Sequence, residues 1–341
     1  MNPLTVIFMD CGQGDSTLIV FPNKKIMLVD CGSIKNSSEV LPEIKKVVED
    51  TFNLVNRKVI DQIVITHPDQ DHYNMLVPLI AKTSPTVGSV IYGGHIDQYE
   101  NKSRGERNRT RDWLKKLKKR GKAQPAPLGY WGGSKPWFTE GGVDVYMLAA
   151  NCTGDSKADA NDNSIVLLLH YGDHKVFLMG DATEKTEQFI LKGFNNKYDL
   201  LKFEHATSLK MGHHGSNTSS CREWIQTLTP SALIISSDTR SFGRNGAGLP
   251  PSSFLKSVQA WSSNVGLLNL SRGHHYVDWE DNRQSKDFGR FLARDAQKRA
   301  ICSTLYEIEY AQNGWMFEAT GGSWYWKMKA DGELIVEWTG A

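Results

Sequence analysis

A chain of 341 residues suggests one large or two ordinary domains, and a 40% hydrophobic composition supplies ample material for a core. A formal net charge of +2 excludes a globally basic nucleic-acid binder, so any polyanion site has to come from local clusters. The five cysteines (Cys11, Cys31, Cys152, Cys221, Cys302) include no CxxC pair, which fits free thiols in a reducing compartment better than a disulfide framework. The amino terminus has no basic region followed by an apolar one, and no apolar run approaches the length that crosses a bilayer. A soluble, cytoplasmic chain without membrane contact is therefore expected.

Leu4 to Met9 reads as a strand that runs into Asp10-Cys11-Gly12-Gln13-Gly14-Asp15-Ser16, a turn between apolar runs. Thr17 to Phe21 and Lys25 to Val29 are further strands, the second ending at Asp30-Cys31-Gly32. Residues 38 to 55 have helical spacing and mixed charge. Val59 to Ile65 is an apolar, β-branched buried strand, and it delivers Thr66-His67-Pro68-Asp69-Gln70-Asp71-His72. Two imidazoles and two carboxylates thus fall within six residues, with Pro68 stiffening the turn. All four are hard-to-borderline metal ligands on a loop at a strand end, where scaffolds present such groups. An apolar helix start over 74–81 follows.

Basic residues crowd the stretch from Arg104 to Lys122, among them Arg107, Arg109, Arg111, Lys115 and Lys119. A charged, solvated helix is one reading; a phosphate-tracking patch beside an active site is the other. Residues 129–142 read as a loop over the site or a domain connection. Strands are predicted over Val143 to Ala150, Ile165 to His170 and Lys175 to Met179, with turns at 161–164 and 172–173. The last of these strands ends at Gly180-Asp181 before a helix start at Thr183-Glu184. Leu209-Lys210-Met211-Gly212-His213-His214-Gly215-Ser216, a helix over 223–228 and a buried strand over 232–236 complete a second half built like the first. Two such halves point to a sheet-on-sheet core covered by helices on both outer faces. Residues 305–338 alternate apolar and polar positions and predict a small antiparallel sheet carrying Trp315, Trp324, Trp326 and Trp338.

Six pieces, in order, carry a family resemblance: Asp10-x-Gly12-Gln13-Gly14-Asp15-Ser16, Asp30-x-Gly32, Thr66-His67-Pro68-Asp69-x-Asp71-His72, Asn163-Ser164, Gly180-Asp181 and Lys210-x-Gly212-His213-His214-Gly215-Ser216. Together they resemble a metallo-β-lactamase-fold hydrolase, and more narrowly the hydrolase domain of ComEC-type competence (DNA-uptake) proteins, here as a stand-alone chain. The resemblance covers roughly residues 4 to 270. It implies an α+β four-layer αββα sandwich over 1–272, with a β-rich carboxy-terminal extension over 273–341. It also implies two divalent metal ions, His67 and Asp69 on one, Asp71 and His72 on the other. Asp181 would bridge them, and one of His213 and His214 would complete the second ion. The broader superfamily has a histidine where this chain has Asp69, and another near Asp162 and Asn163. Those two are candidates for the first ion's missing ligand, and oxygen in place of imidazole keeps manganese beside zinc.

The implied reaction is hydrolysis of a phosphodiester by a metal-bridging hydroxide. Asp71 is the partner for the nucleophilic water, and whichever of His213 and His214 is not a ligand contacts a phosphate or protonates the leaving oxygen. Lys210 adds positive charge. Gln13, Asp15, Ser216, Arg104, Arg107 and Arg109 are candidate substrate contacts, with turn formation the alternative for Gln13 and Asp15. The substrate expected is DNA or RNA, which makes the chain a phosphodiesterase or nuclease. The alternatives are a small phosphodiester, ester or lactone, and an adaptor that docks a protein partner through the aromatic carboxy-terminal sheet.

Overall fold

The computed structural model describes residues 4–261 except 10, 12, 35–36, 101–108, 173, 196, 198, 202–205, 231, 237–240 and 243–246. Beyond 261 it describes the strand backbones at 267–270, 299–302, 307–311, 314–318, 322–328 and 334–340. The first half runs β1 (Leu4–Phe8), β2 (Thr17–Val20), β3 (Ile26–Val29), α1 (Ser37–Val55), β4 (Val59–Ile65), α2 (Gln70–Tyr73), α3 (Leu76–Thr83) and β5 (Thr86–Tyr92). It ends with α4 (Arg109–Lys119) and β6 (Ala123–Pro125). The second half runs β7 (Tyr130–Trp131), β8 (Phe138–Glu140), β9 (Val143–Ala150), β10 (Val166–Tyr171), β11 (His174–Leu178), α5 (Glu184–Phe194) and β12 (Ala206–Lys210). Then come α6 (Arg222–Leu228), β13 (Ala232–Ile235), β14 (Ser241–Phe242), β15 (Ala247–Gly248), α7 (Ser252–Trp261) and β16 (Leu267–Leu270). The last strands are β17 (Arg299–Cys302), β18 (Glu307–Ala311), β19 (Gly314–Glu318), β20 (Gly322–Met328) and β21 (Leu334–Gly340).

The main strands form two mixed sheets. One has the order β21-β20-β1-β2-β3-β4-β5-β6, the other β17-β16-β13-β12-β11-β10-β9-β7, with β8 also on β9. Each sheet is antiparallel through its hairpins and turns parallel where helices intervene, from β3 to β6 and from β11 to β16, and β17 also pairs parallel with β16. Helical crossovers are what parallel pairing requires. The alternation along the strands explains the layering. Val6, Phe8, Ile19, Met27, Val29, Val64 and Ile91 face Leu167, Leu169 and Val176 in one core between the sheets. Ile7, Leu18, Leu28 and Ile65 face the other way, onto Val40, Ile44, Val48 and Phe52 of α1 and Leu76 and Leu79 of α3. On the opposite sheet, Ile190, Phe194, Trp224, Ile225 and Val258 of α5, α6 and α7 supply the outer layer. The result is the four-layer αββα sandwich.

Two stretches differ from the sequence reading. Residues 129–142 are no loop over the site: β7 and β8 pair with β9 at the second sheet's edge. Thr86–Tyr92 is a strand that the sequence reading leaves out, because its first four residues are largely exposed and show no alternation. Within the expected carboxy-terminal extension, β20 pairs with β1 on one side and β21 on the other, so the strand bearing Trp324 and Trp326 is internal to the first sheet. The side chains of Trp315, Trp324, Trp326 and Trp338 lie outside the described residues.

Candidate metal centre

The chemistry-bearing residues collect where strands of both sheets end. Asp30 follows β3, His67 to His72 follow β4, Asp181 follows β11, His214 follows β12 and Ser236 follows β13. Carboxyl ends of parallel strands are where α/β architectures gather ligand groups, because the loops there converge on one crevice.

Asp181 stands in the middle. Its Oδ1 is 3.1 Å from His72 Nε2, and its Oδ2 is 3.4 Å from His214 Nε2 and 3.8 Å from His67 Nε2. His214 Nε2 is also 3.2 Å from Asp71 Oδ2, and His67 Nε2 is 3.7 Å from Asp69 Oδ2. The rings of His67 and His72 lie 4.1 Å apart. The Nε2 atoms of His67, His72 and His214 and Oδ1 of Asp181 are buried, yet none makes a hydrogen bond of proper geometry. A buried polar atom without a partner costs about 1–3 kcal/mol, so four converging on one point are unusual in a folded chain.

The outer atoms of the same rings are bonded and therefore aimed. His72 Nδ1 donates to Asp30 Oδ2 at 2.8 Å, and His214 Nδ1 donates to the Ser236 carbonyl at 2.8 Å. Each bond fixes the tautomer that leaves Nε2 facing Asp181, the arrangement common to histidines that ligate metals. Asp30 also accepts from Thr66 N and Thr66 Oγ1, both at 2.7 Å, so one carboxylate fixes both the loop start and His72. It does so from a left-handed conformation, φ 56°, which aspartate tolerates better than most residues. His213 and His214 are left-handed too, at φ 47° and 53°, held by His213 N donating to Gly180 O and by Ser219 Oγ donating to Gly212 O. Glycine is required at two contacts: a Cβ on Gly32 would lie 2.3 Å from Asp71 C, and one on Gly180 would lie 2.7 Å from Thr66 Oγ1.

The electrostatics follow from burial among opposite charges. Burial alone would raise the Asp71 carboxyl, but the proximity of the His214 and His72 imidazoles brings it down to about 2. Burial would lower His214, and Asp181 with Asp71 instead push it up to about 10. His72 moves above and Asp181 well below their ordinary values for the same reasons. Opposite charge in the pocket thus favours the protonated forms of His72 and His214. A divalent cation can take the place of those protons, and the donor set of three imidazoles and carboxylates fits one.

Not every expected site residue joins this cluster. His213 sits at the rim, with Nδ1 2.7 Å from Thr218 Oγ1 and Nε2 3.4 Å from Asn161 Nδ2, so His214 is the member of the pair at the centre. Asn163 does not join: its Oδ1 accepts from Thr153 and its Nδ2 donates to Asp155 O at 2.7 Å. Asp162 is bonded to Thr183 and Lys185 at the start of α5. Lys210 and Asp15, expected at the chemistry and the substrate, are found ion-paired with each other at 2.7 Å, Lys210 Nζ donating to Asp15 Oδ2 at 2.9 Å, with side chains 2% and 6% exposed. That pair ties the second sheet to the turn after β1, where Asp15 N donates to Asp71 O. Gln13 is buried and its Oε1 has no hydrogen bond, whereas Ser216 Oγ accepts from Thr218 N and Thr218 Oγ1 within its own loop. Arg109 is exposed at the start of α4, and Arg104 and Arg107 lie outside the described residues. Asp30 and Thr66 stand in the quoted motifs and Ser236 at the end of a predicted strand, but the sequence reading gives none of them a role at the site. The end of a buried strand at Asp30-Cys31-Gly32 was the available signal for the first.

Architecture and site together define the metallo-β-lactamase fold. No protein-family model matches the chain. Within that class its sequence resembles the competence proteins. It is 26% identical over 241 residues to ComE operon protein 3 of Bacillus subtilis, covering 68% of this chain and 28% of that protein. It is 28% identical over 239 residues to Recombination protein 2 of Haemophilus influenzae, covering 67% and 24%. The chain thus spans about a quarter of the length of the curated relatives it matches. Among solved structures, the metallo-β-lactamase-fold protein YhfI of Bacillus subtilis aligns with TM-score 0.45 at 14% identity, covering 80% of this chain and 98% of that one. No helix among the described residues is long and apolar enough to cross a membrane.

Proposed function

We propose that this protein is a dinuclear metal-dependent phosphodiesterase whose substrate is a polynucleotide. The observation that carries the reading is the convergence of four buried, unbonded donor atoms from His67, His72, His214 and Asp181. His67 and Asp69 would hold one cation, Asp71, His72 and His214 the other, with Asp181 between them. Two divalent cations there, zinc or manganese, supply Lewis acidity toward a phosphoryl group and lower the pKa of water.

The chain's own residues orient the reaction. Asp30 and Ser236 O hold His72 and His214 in the tautomers that present Nε2. Asp71, its carboxyl kept ionised by His214, is placed to accept a proton at the site's mouth. His213, half-buried at the rim beside Asn161, is placed to hydrogen-bond a phosphate oxygen. Polynucleotide is favoured over a small ester by the similarity to competence proteins and by the exposed basic surface of α4.

The test is cleavage of single- and double-stranded DNA and RNA with zinc or manganese, alongside Asp71→Ala and His72→Ala. We expect cleavage by the parent and a loss of at least about 100-fold in each variant. Hydrolysis of bis-p-nitrophenyl phosphate with no cleavage of any polynucleotide would assign a small diester instead.

A further inference from the structure

The basic stretch is not uniform once folded. α4 runs down the outer face of the first sheet, and the cations at its upper end are already neutralised. Arg111 is bonded to Glu100, and Lys115 Nζ is 2.9 Å from Asp97 Oδ1. Asp97 and Glu100 belong to the turn just past Gly93 and Gly94, which pack on Thr66 and Pro68 of the metal loop. The free charges lie lower. Lys118, Lys119, Arg120 and Lys122 are exposed, and none of them is in an ion pair among the described residues.

The topology adds two more from elsewhere in the sequence. β4, β5 and β6 are adjacent and parallel, so the residues that lead into them gather at the end of the sheet away from the metal loop. Lys58 leads into β4, Lys82 lies in the last turn of α3 ahead of β5, and Lys122 leads into β6; all three are exposed. Lys122 Nζ reaches Val87 O at 3.0 Å, which places its head over the start of β5. Arg57, next to Lys58, is by contrast bridged to Asp61 at 2.9 Å. A surface of six cations outside any ion pair among the described residues, on α3, the end of α4 and the segments that lead into β4 and β6, is the electrostatic footprint of a phosphate-tracking site.

We infer that this surface, Lys58, Lys82, Lys118, Lys119, Arg120 and Lys122, grips the backbone of a polynucleotide away from the bond being cut. The inference rests on the polynucleotide reading of the metal centre. At a rise of about 3.3 Å per residue, Lys58 lies about 30 Å from His67 along β4, and Lys122, level with Ser89 and Gln62, about 16 Å. Those distances correspond to about five to nine phosphates of one strand at 3.4 Å each. The grip is sequence-independent, because exposed ammonium and guanidinium groups without a groove-reading element contact phosphate alone.

The test measures binding of a labelled single-stranded 20-mer and 5-mer to the full chain by fluorescence anisotropy over a range of salt. The variant is Lys82→Gln/Lys118→Gln/Lys119→Gln/Arg120→Gln, at four exposed positions with no bonded partner, so the fold is kept. We expect the parent to bind the 20-mer at least about tenfold tighter than the 5-mer, and the variant to lose most of that advantage. The slope of log K against log salt should fall by about 0.7 for each contact removed. Equal affinity and slope in parent and variant would overturn the inference, as would a parent with no affinity for the 20-mer. So would a variant that binds the 20-mer normally but has lost binding to phosphatidylserine vesicles, which would make the surface a membrane contact. Binding sensitive to the variant in a parent that cleaves nothing would uphold the surface and remove the nuclease reading. Cleavage with insensitive binding would do the reverse.

Discussion

At the scale of residues, the buried pair Lys210–Asp15 shows how charge inside this fold is made tolerable. Both side chains are withdrawn from water and offset each other at 2.7 Å. Lys210→Met leaves Asp15 as an unpaired buried carboxylate and should destabilise the fold by about 3–5 kcal/mol. The double variant Asp15→Asn/Lys210→Met removes both charges and should recover most of that loss. Urea denaturation of the two proteins checks it; a single variant within about 1 kcal/mol of the parent would show that the pair is not needed. Glu187 is the complementary case, a buried carboxyl with no ion pair among the described residues. Burial raises it, the amides of Cys221 and Ser220 hold it back in part, and it ends at about 7 instead of 4.5. Because the folded state holds this proton more tightly, its contribution is fully present below pH 4.5 and is lost as the pH rises through 7. Relative to Glu187→Gln, the parent should therefore be more stable at pH 4.5 than at pH 8 by roughly 3 kcal/mol. A difference that does not change with pH would contradict this.

At the scale of elements, the local polar runs were the legible part. His67, Asp69, Asp71 and His72 are contiguous and follow a strand whose apolar, β-branched composition reads without ambiguity, so their clustering needed no tertiary information. The contact between Lys210 and Asp15 spans 195 positions, and no local pattern announces it. The choice between His213 and His214 was illegible for a different reason. It turns on two consecutive left-handed residues, a conformation that neither residue type announces. Asn163 was a reasonable candidate by position, but its amide is used up within the loop that positions it. β5 shows the limit of periodicity, since alternation marks a strand only where one face is buried and the other wet along its whole length. The basic stretch could be read as charge, but which charges remain unpaired depends on Asp97 and Glu100 from a preceding turn.

At the scale of the molecule, neither sheet owns the site. His67, Asp69, Asp71 and His72 come from the first sheet, Asp181 and His214 from the second, so the donor cluster exists only when both halves pack on the shared core. Packing of the sheets and preorganisation of the donors are therefore one event, and ions bound to the folded chain should add to its stability. The most direct measurement is the metal content of the folded protein, by mass spectrometry after loading with zinc or manganese and desalting, beside Asp181→Ala. About two ions per chain in the parent and fewer than about one in the variant, with both folded by circular dichroism, is the expected result. A folded parent that retains no ion, or a variant that retains as many as the parent, would contradict a metal centre built around Asp181.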